Sequence, residues 1–223
     1  MRPIIVGYEA TAQGDDAVRL TRTMAGVLSA KPVVATVFPF PAHLFPSTEL
    51  KRVAELDSPT LFARPRAILS DEALDTRVIV DPSPARALQG LAEREQAALI
   101  VVGSSRHGPI GRVLLGSVGA SLLHGSPCAV AVAPTRLAAH HSIRRIGVGF
   151  DGSPEAFSAL EAAISLARRL DDGASLDLFT AWEQPAYGIG TSSAILSASD
   201  WYGVERDEKQ RIRNLGLARG HPR

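Results

Sequence analysis

A single cysteine, Cys128, stands among 223 residues, so no disulfide can close within the chain and the fold must rest on its hydrophobic core; a reducing compartment, the cytoplasm, suits it. Charge of one sign is missing as well. The 24 Lys and Arg face 23 Asp and Glu, a formal net charge of +1, which leaves no global field to hold nucleic acid or an acidic membrane. Apolar runs such as Ala97 to Val102 fall far short of the ~20 residues a membrane helix needs. Nothing after Arg2 reads as an export signal with a cleavage site. No Walker motif, G-x-x-x-x-G-K-(S/T), occurs, so P-loop ATPase chemistry is not indicated. No Ser/His/Asp or paired-carboxylate arrangement can be argued from spacing, and His140-His141 has no Cys or acidic partner at ligand spacing, so no catalytic residue and no metal site is assigned. What is present is ordinary for a globular protein: 45% hydrophobic and 21% charged residues, with length for one large domain or two small ones.

The chain starts one unit twice. Arg2 to Ala17 (RPIIVGYEATAQGDDA) is answered by Arg144 to Ala159 (RRIGVGFDGSPEAFSA) at a constant separation, pairing Ile4 with Ile146, Gly7 with Gly149, Glu9 with Asp151 and Thr11 with Ser153. Lys31 to Phe38 is then answered by Ser175 to Trp182 with two residues added between, as a small loop insertion would do.

In the first unit, short β-branched runs alternate with helical patterns. Strands are expected over Pro3 to Tyr8, Val33 to Phe38, Thr76 to Val80, Ala98 to Val102 and Ala129 to Ala133. Asp15 to Leu28 reads as a helix with Val18, Leu20, Met24, Val27 and Leu28 on one stripe. Ser83-Pro84 caps another through Gln96, and Val118 to His124 a third. The stretch Pro39 to Pro65 has room for a short helix at Glu49 to Glu55, while Pro46, Pro59 and Pro65 forbid a long one. Such alternation predicts an α/β fold, an open, parallel, five-stranded, doubly wound sheet. Carried forward by the same separation, Gly103 and Gly116 fall past Arg223, so an incomplete second copy is expected. The organisation read is a domain over 1–138, a linker over 139–143 and a partial copy over 144–223. Its tail from Glu205 reads as a solvated helix with a frayed end, or as a basic arm for an anionic partner.

The densest local signal is VVGSSRHGPIGRVLLGSV, Val101 to Val118. In an open parallel sheet, ligands bind beyond the carboxyl ends of the strands near the point where strand order reverses, and this loop leaves a central strand there. Gly103, Gly108, Gly111 and Gly116 permit close backbone approach and positive φ, and Gly116-Ser117-Val118 opens a helix whose free N–H groups suit a phosphate. Ser104, Ser105 and Ser117 add hydroxyls, and Arg106, His107 and Arg112 add charge. From spacing alone, phosphate binding and mere turn punctuation remain equally open.

At this loop the chain resembles the universal stress protein family, marked by a strand ending in G-x2-G-x9-G-(S/T), then a helix and a strand like PCAVAVAP. Gly103, Gly116, Ser117, Val118 and Pro127 to Pro134 match in order and spacing. The family's Asp-Gly-Ser turn is matched by Asp151-Gly152-Ser153 and more loosely by Glu9-Ala10-Thr11. The resemblance implies an adenine-nucleotide α-hydrolase-like sheet that binds ATP in one branch of the family, with Mg accompanying the nucleotide. Adenosine would be met by Glu9 and Val37, and phosphates by Gly103, Ser104, Gly116, Ser117 and Val118. Two departures stand out: the second glycine falls at Arg106, beside Gly108, and the Asp falls at Glu9. Arg106 either blocks the pocket or swings out and supplies a guanidinium fork. The resemblance also implies a homodimer through Ala129 to Ala133. Two readings stay open, a nucleotide-binding sensor in stress response and a same-fold interaction protein with a vestigial pocket.

Gly147 to Gly152 fits G-x-G-x-x-G with Asp171 beyond it, yet its first glycine aligns with Ile5 inside a strand, and Asp151 would face a pyrophosphate with like charge. Cys128, ahead of an apolar strand, reads as a small buried residue rather than a nucleophile.

Overall fold

The computed structural model describes residues 2–39, 58–105, 113, 115–139, 141–170 and 174–180, and these divide into two compact units between Ser142 and Ile143. In the first, chain order runs β1 (Ile4–Gly7), α1 (Ala12–Leu28), β2 (Pro32–Phe38), α2 (Ser58–Leu61), α3 (Ala63–Leu69), β3 (Asp75–Val80), α4 (Pro84–Arg94), β4 (Leu99–Gly103), α5 (Ser117–Leu123) and β5 (Ala129–Ala133). The five strands are all parallel, in the order β3-β2-β1-β4-β5. This is the open α/β sheet that the alternation predicts.

Successive residues of a strand point to opposite faces, and two separate cores result. Ile4, Val6, Tyr8, Val34, Leu99 and Val101 pack with Ala17, Val18 and Phe62 on the α1 and α3 side. Ile5, Val33, Ala35, Ile100 and Val102 pack with Leu88, Leu91 and Leu122 on the α4 and α5 side. Being covered on both faces, β1 and β4 are apolar without alternation, as central parallel strands must be. Each fully buried Ile, Val or Leu contributes about 1.5–3 kcal/mol, so the sheet's centre dominates the stability of this unit.

Local chemistry sets the helix ends. Thr11 caps α1 by accepting from the Gly14 N–H at 3.2 Å, so the helix starts at Ala12, three residues before the expected Asp15. Ser83 accepts from the Arg86 N–H at 3.4 Å, and Pro84 opens α4. That helix closes at Arg94 rather than Gln96, because Gln96 turns left-handed at φ 50° and the Ala97 N–H reaches the Ala92 carbonyl at 2.8 Å. The proline-rich stretch ends in one short helix and opens another, and neither is long, as its prolines predict. Pro59 and Pro65 sit in the first turns of α2 and α3, where a missing N–H costs nothing, and Phe62 between them is fully buried. The helix expected at Glu49 to Glu55, and the basic tail from Glu205, lie outside the described residues.

The second unit carries β6 (Arg145–Gly149), α6 (Pro154–Ala167) and β7 (Ser175–Phe179), the two strands parallel. Ser153 caps α6 by accepting from the Ala156 N–H at 3.1 Å, and Gly152 at φ 82° makes the turn before it. Its own small core joins Val148 and Phe150 to Ala156, Leu160 and Ala163. Gly147 lies inside β6, where no dinucleotide turn can form.

Candidate functional site

From β1 the chain steps outward through β2 to β3, then crosses back to β4 on the other side of β1. Strand order therefore reverses between β1 and β4, and the turns leaving their carboxyl ends diverge to opposite faces, which is what opens a crevice in such sheets. Glu9 follows β1, Gly103 ends β4, Ser104 and Ser105 follow it, and Val37 stands near the end of β2 beside them.

The first turn of α1 sits between these exits. A Cβ on Gly14 would lie 2.0 Å from the Glu9 carbonyl oxygen, and a Cβ on Gly103 would lie 2.4 Å from the Gln13 carbonyl oxygen. Both glycines exist because backbone touches backbone there. Of the two things glycine permits there, close approach and positive φ, neither Gly103 nor Gly116 uses the second. Gly152 alone does so among the described glycines, and Gly116 sits at φ −74°. The freedom they supply is space rather than handedness.

Gly116 differs from Gly103. Among the described residues, a Cβ there would meet only Ser105, at 3.8 Å, which is ordinary contact, so packing does not demand glycine. It is also the N-cap of α5 and makes no side-chain cap bond, whereas α1, α4 and α6 are all capped by hydroxyls. The first helical bond of α5 is Ala120 N–H to the Gly116 carbonyl. Ser117 is exposed beside it, and the Val118 side chain packs into the α4 and α5 core, leaving its amide as the part a ligand could reach. Val37 likewise turns its side chain to that core. Ser104 is buried, its N–H bonded to the Ala133 carbonyl at 3.0 Å. Glu9 is exposed. The structure thus gathers Glu9, Gly103 and Ser104 around one helical turn and sets Gly116 beside Ser105. Arg106 and Gly108 lie outside the described residues.

Sequence reasoning passed over Gln13 to Asp16. Asp15 and Asp16 read as ordinary acids at a helix start, yet both are buried, at 1% and 2% exposure. Asp15 pairs with Arg64 of α3 through Oδ2, while its Oδ1 and the buried Tyr8 hydroxyl each lack a hydrogen-bond partner. Burial, with the Asp15 carboxylate next to it, pushes the Tyr8 phenol up. Asp16 accepts from the backbone N–H groups of Arg136 at 2.8 Å and Leu137 at 3.1 Å, and from Arg19 at 2.8 Å. The only available signal was the pair of acids following a capping threonine at a position where solvated residues are usual. Among the described residues no three His, Cys, Asp or Glu gather as metal ligands. Cys128 is half-buried, and that burial raises its thiol pKa.

A doubly wound parallel sheet whose strand order reverses between β1 and β4 defines an open α/β fold. Its family follows from comparison: a model described as the universal stress protein family matches residues 1–134 and again 142–222, nearly the whole chain, and the chain belongs to that family. A universal stress protein of Mycolicibacterium smegmatis is 30% identical over 178 residues, covering 74% of this chain, which spans 60% of that relative's length. A solved universal stress protein from Archaeoglobus fulgidus shares the fold at a TM-score of 0.59 and 19% identity, over 96% of this chain and 74% of that one. Another, crystallised in complex with cAMP, is 28% identical at a TM-score of 0.42, over 60% of this chain and 97% of that one. Among the described residues no helix is long and apolar enough to cross a membrane.

Proposed function

We propose that the first unit binds ATP or a related adenine nucleotide in the crevice between the β1 and β4 exits, and that the protein serves as a cytoplasmic sensor or binding module in stress response. One observation carries this reading: at the sheet's reversal point the β4 exit is answered by Gly116, a glycine that no described neighbour requires, opening a helix with no side-chain cap. A phosphate there would take the amides of Ser117 and Val118 and the Ser117 hydroxyl. Glu9 would accept from a ribose or adenine group, and Val37 would border the base. Isothermal titration with ATP, with and without Mg2+, tests the assignment: saturable heat is expected from the parent protein and none from Ser117→Trp. Absence of heat from the parent at about millimolar ATP, a Kd scale worth only about 4 kcal/mol, makes the crevice vestigial. The outer edge of β5, the last strand of the sheet, suits pairing with a second copy through Ala129 to Ala133. Light scattering showing a persistent monomer at high concentration refutes that dimer.

A further inference from the structure

Four consecutive residues in the first turn of α1 each fasten a different segment. Gln13 presses its carbonyl on Gly103 at the β4 exit, and Gly14 seats on the Glu9 carbonyl at the β1 exit. Asp15 holds Arg64 of α3, and Asp16 holds the amides of Arg136 and Leu137. The first two contacts border the crevice. The last lies on the segment that leaves β5 toward residue 142.

We propose that this turn is a relay: occupancy of the crevice is felt at the exit segment 135–142 through Asp16. The inference rests on the nucleotide reading for its ligand, and on two physical features for its coupling. The crevice-side contacts are backbone on backbone, with no side chain that could rotate to absorb a shift, so a displacement of either exit moves the helical turn as a body. On the far side, Asp16 accepts from two amides that have no other acceptor among the described residues, and Arg136 is held at φ 61°, in the left-handed region that a residue with a Cβ enters at some cost. Release from the carboxylate would let that residue relax toward negative φ, which supplies the second conformation that the relay requires. Further along α1, Thr23 meets His141 Nε2 at 2.9 Å and Arg22 reaches the Ala139 carbonyl. Ala139 and His141 of the segment are thus held against α1 beyond the clamp.

Amide hydrogen exchange on the full chain decides the matter in two arms. Without ligand, Asp16→Ala is expected to speed exchange at Arg136 and Leu137 by about tenfold or more, the effect of losing one charge-assisted bond at each. It is also expected to speed the amides of Gly14 and Asp15, which bond to Thr11 at the crevice side. A change confined to Arg136 and Leu137 overturns the relay. With saturating ATP, the parent protein is expected to slow exchange at Arg136 and Leu137, and Asp16→Ala to bind ATP without that response. ATP that binds by calorimetry and leaves both amides unchanged overturns the relay while the nucleotide reading stands. If ATP does not bind at all, the nucleotide reading falls and the ligand-free arm still decides the relay. Asp16→Asn, which keeps one acceptor oxygen, serves as the second variant should the alanine fail to fold. It is expected to release one of the two amides and keep the other.

Discussion

Gly103 and Gly116 look interchangeable in the sequence, both glycines flanking one loop, and the structure separates them by what a methyl group would strike. At Gly103 it would sit 2.4 Å from the Gln13 carbonyl oxygen, inside any real contact distance, with backbone on both sides. Gly103→Ala is therefore expected to cost about 1–3 kcal/mol of folding stability, read as a lower urea midpoint at unchanged slope. Gly116→Ala has room and loses only a favoured N-cap residue, so its stability is expected to fall by no more than about 1 kcal/mol, while its affinity for ATP falls. A Gly116→Ala protein as destabilised as Gly103→Ala would show that packing, not a ligand, keeps that glycine. Tyr8 makes a second test at this scale. Its hydroxyl is buried beside the Asp15 carboxylate without an ideal hydrogen bond, so the desolvation cost relieved and the contact to Asp15 lost oppose each other, and Tyr8→Phe is expected to change stability by less than about 1 kcal/mol at neutral pH. Because the folded phenol titrates above its ordinary pKa of 10.0, its contribution to stability is complete below that pH and is lost as pH rises through the folded value. Tyr8→Phe removes that part of the alkaline slope.

At the scale of elements, strands were legible from short runs rich in β-branched and small apolar residues, even at the sheet's half-buried edges. Ala129 to Ala133 was read residue for residue, and Val33 to Phe38 and Thr76 to Val80 came within one residue of β2 and β3. Helix ends were legible where one side chain makes the cap, as Ser83 does. They were missed where the reason is tertiary: Gly14, a poor helix former, sits inside α1 because the Glu9 carbonyl leaves no room for anything larger. Of the site, the glycine positions and their order could be read, while the burial of Asp15 and Asp16 could not, since their partners lie 49 to 121 residues away. The start of α4 gives this scale its test. Burial alone would raise the Asp81 pKa, but the Ser83 N–H at 2.8 Å and Arg86 at 2.9 Å outweigh it and hold the carboxyl below its usual range. A lowered folded pKa means stability present above the ordinary carboxylate value and lost as pH falls through the folded one. Asp81→Asn is accordingly expected to be less stable than the parent near neutrality, with the gap closing in urea titrations as pH falls through the folded pKa. A gap that stays constant with pH would assign the loss to packing.

For the whole molecule, what matters is that, among the described residues, each hydrophobic cluster is made of residues from one unit. The two large clusters draw only on residues before 142, and the small one only on residues after it. The paired strands of the two units differ on one face. Ile5 and Val33 lie opposite each other in the β1–β2 register and are buried beneath α4 and α5. Their counterparts in β6 and β7, Gly147 opposite Asp177, carry no aliphatic side chain. Arg145 and Asp177 form an ion pair there at 2.8 Å, and the ring of Phe179 lies over Gly147, where a Cβ would meet it at 2.8 Å. Among the described residues, the β6–α6–β7 portion therefore gains apolar burial on one side of its sheet only. Less apolar area removed from water means less stability, at about 25 cal/mol for each Å². Calorimetry of the full chain is therefore expected to show two transitions, the second unit melting first, and a chain ending at Ser142 is expected to keep the later one within a few degrees. A single transition for the full chain, together with a fragment 1–142 that does not fold, would mean that the first unit depends on the second for its stability. The separation of cores would then describe geometry and not energetics.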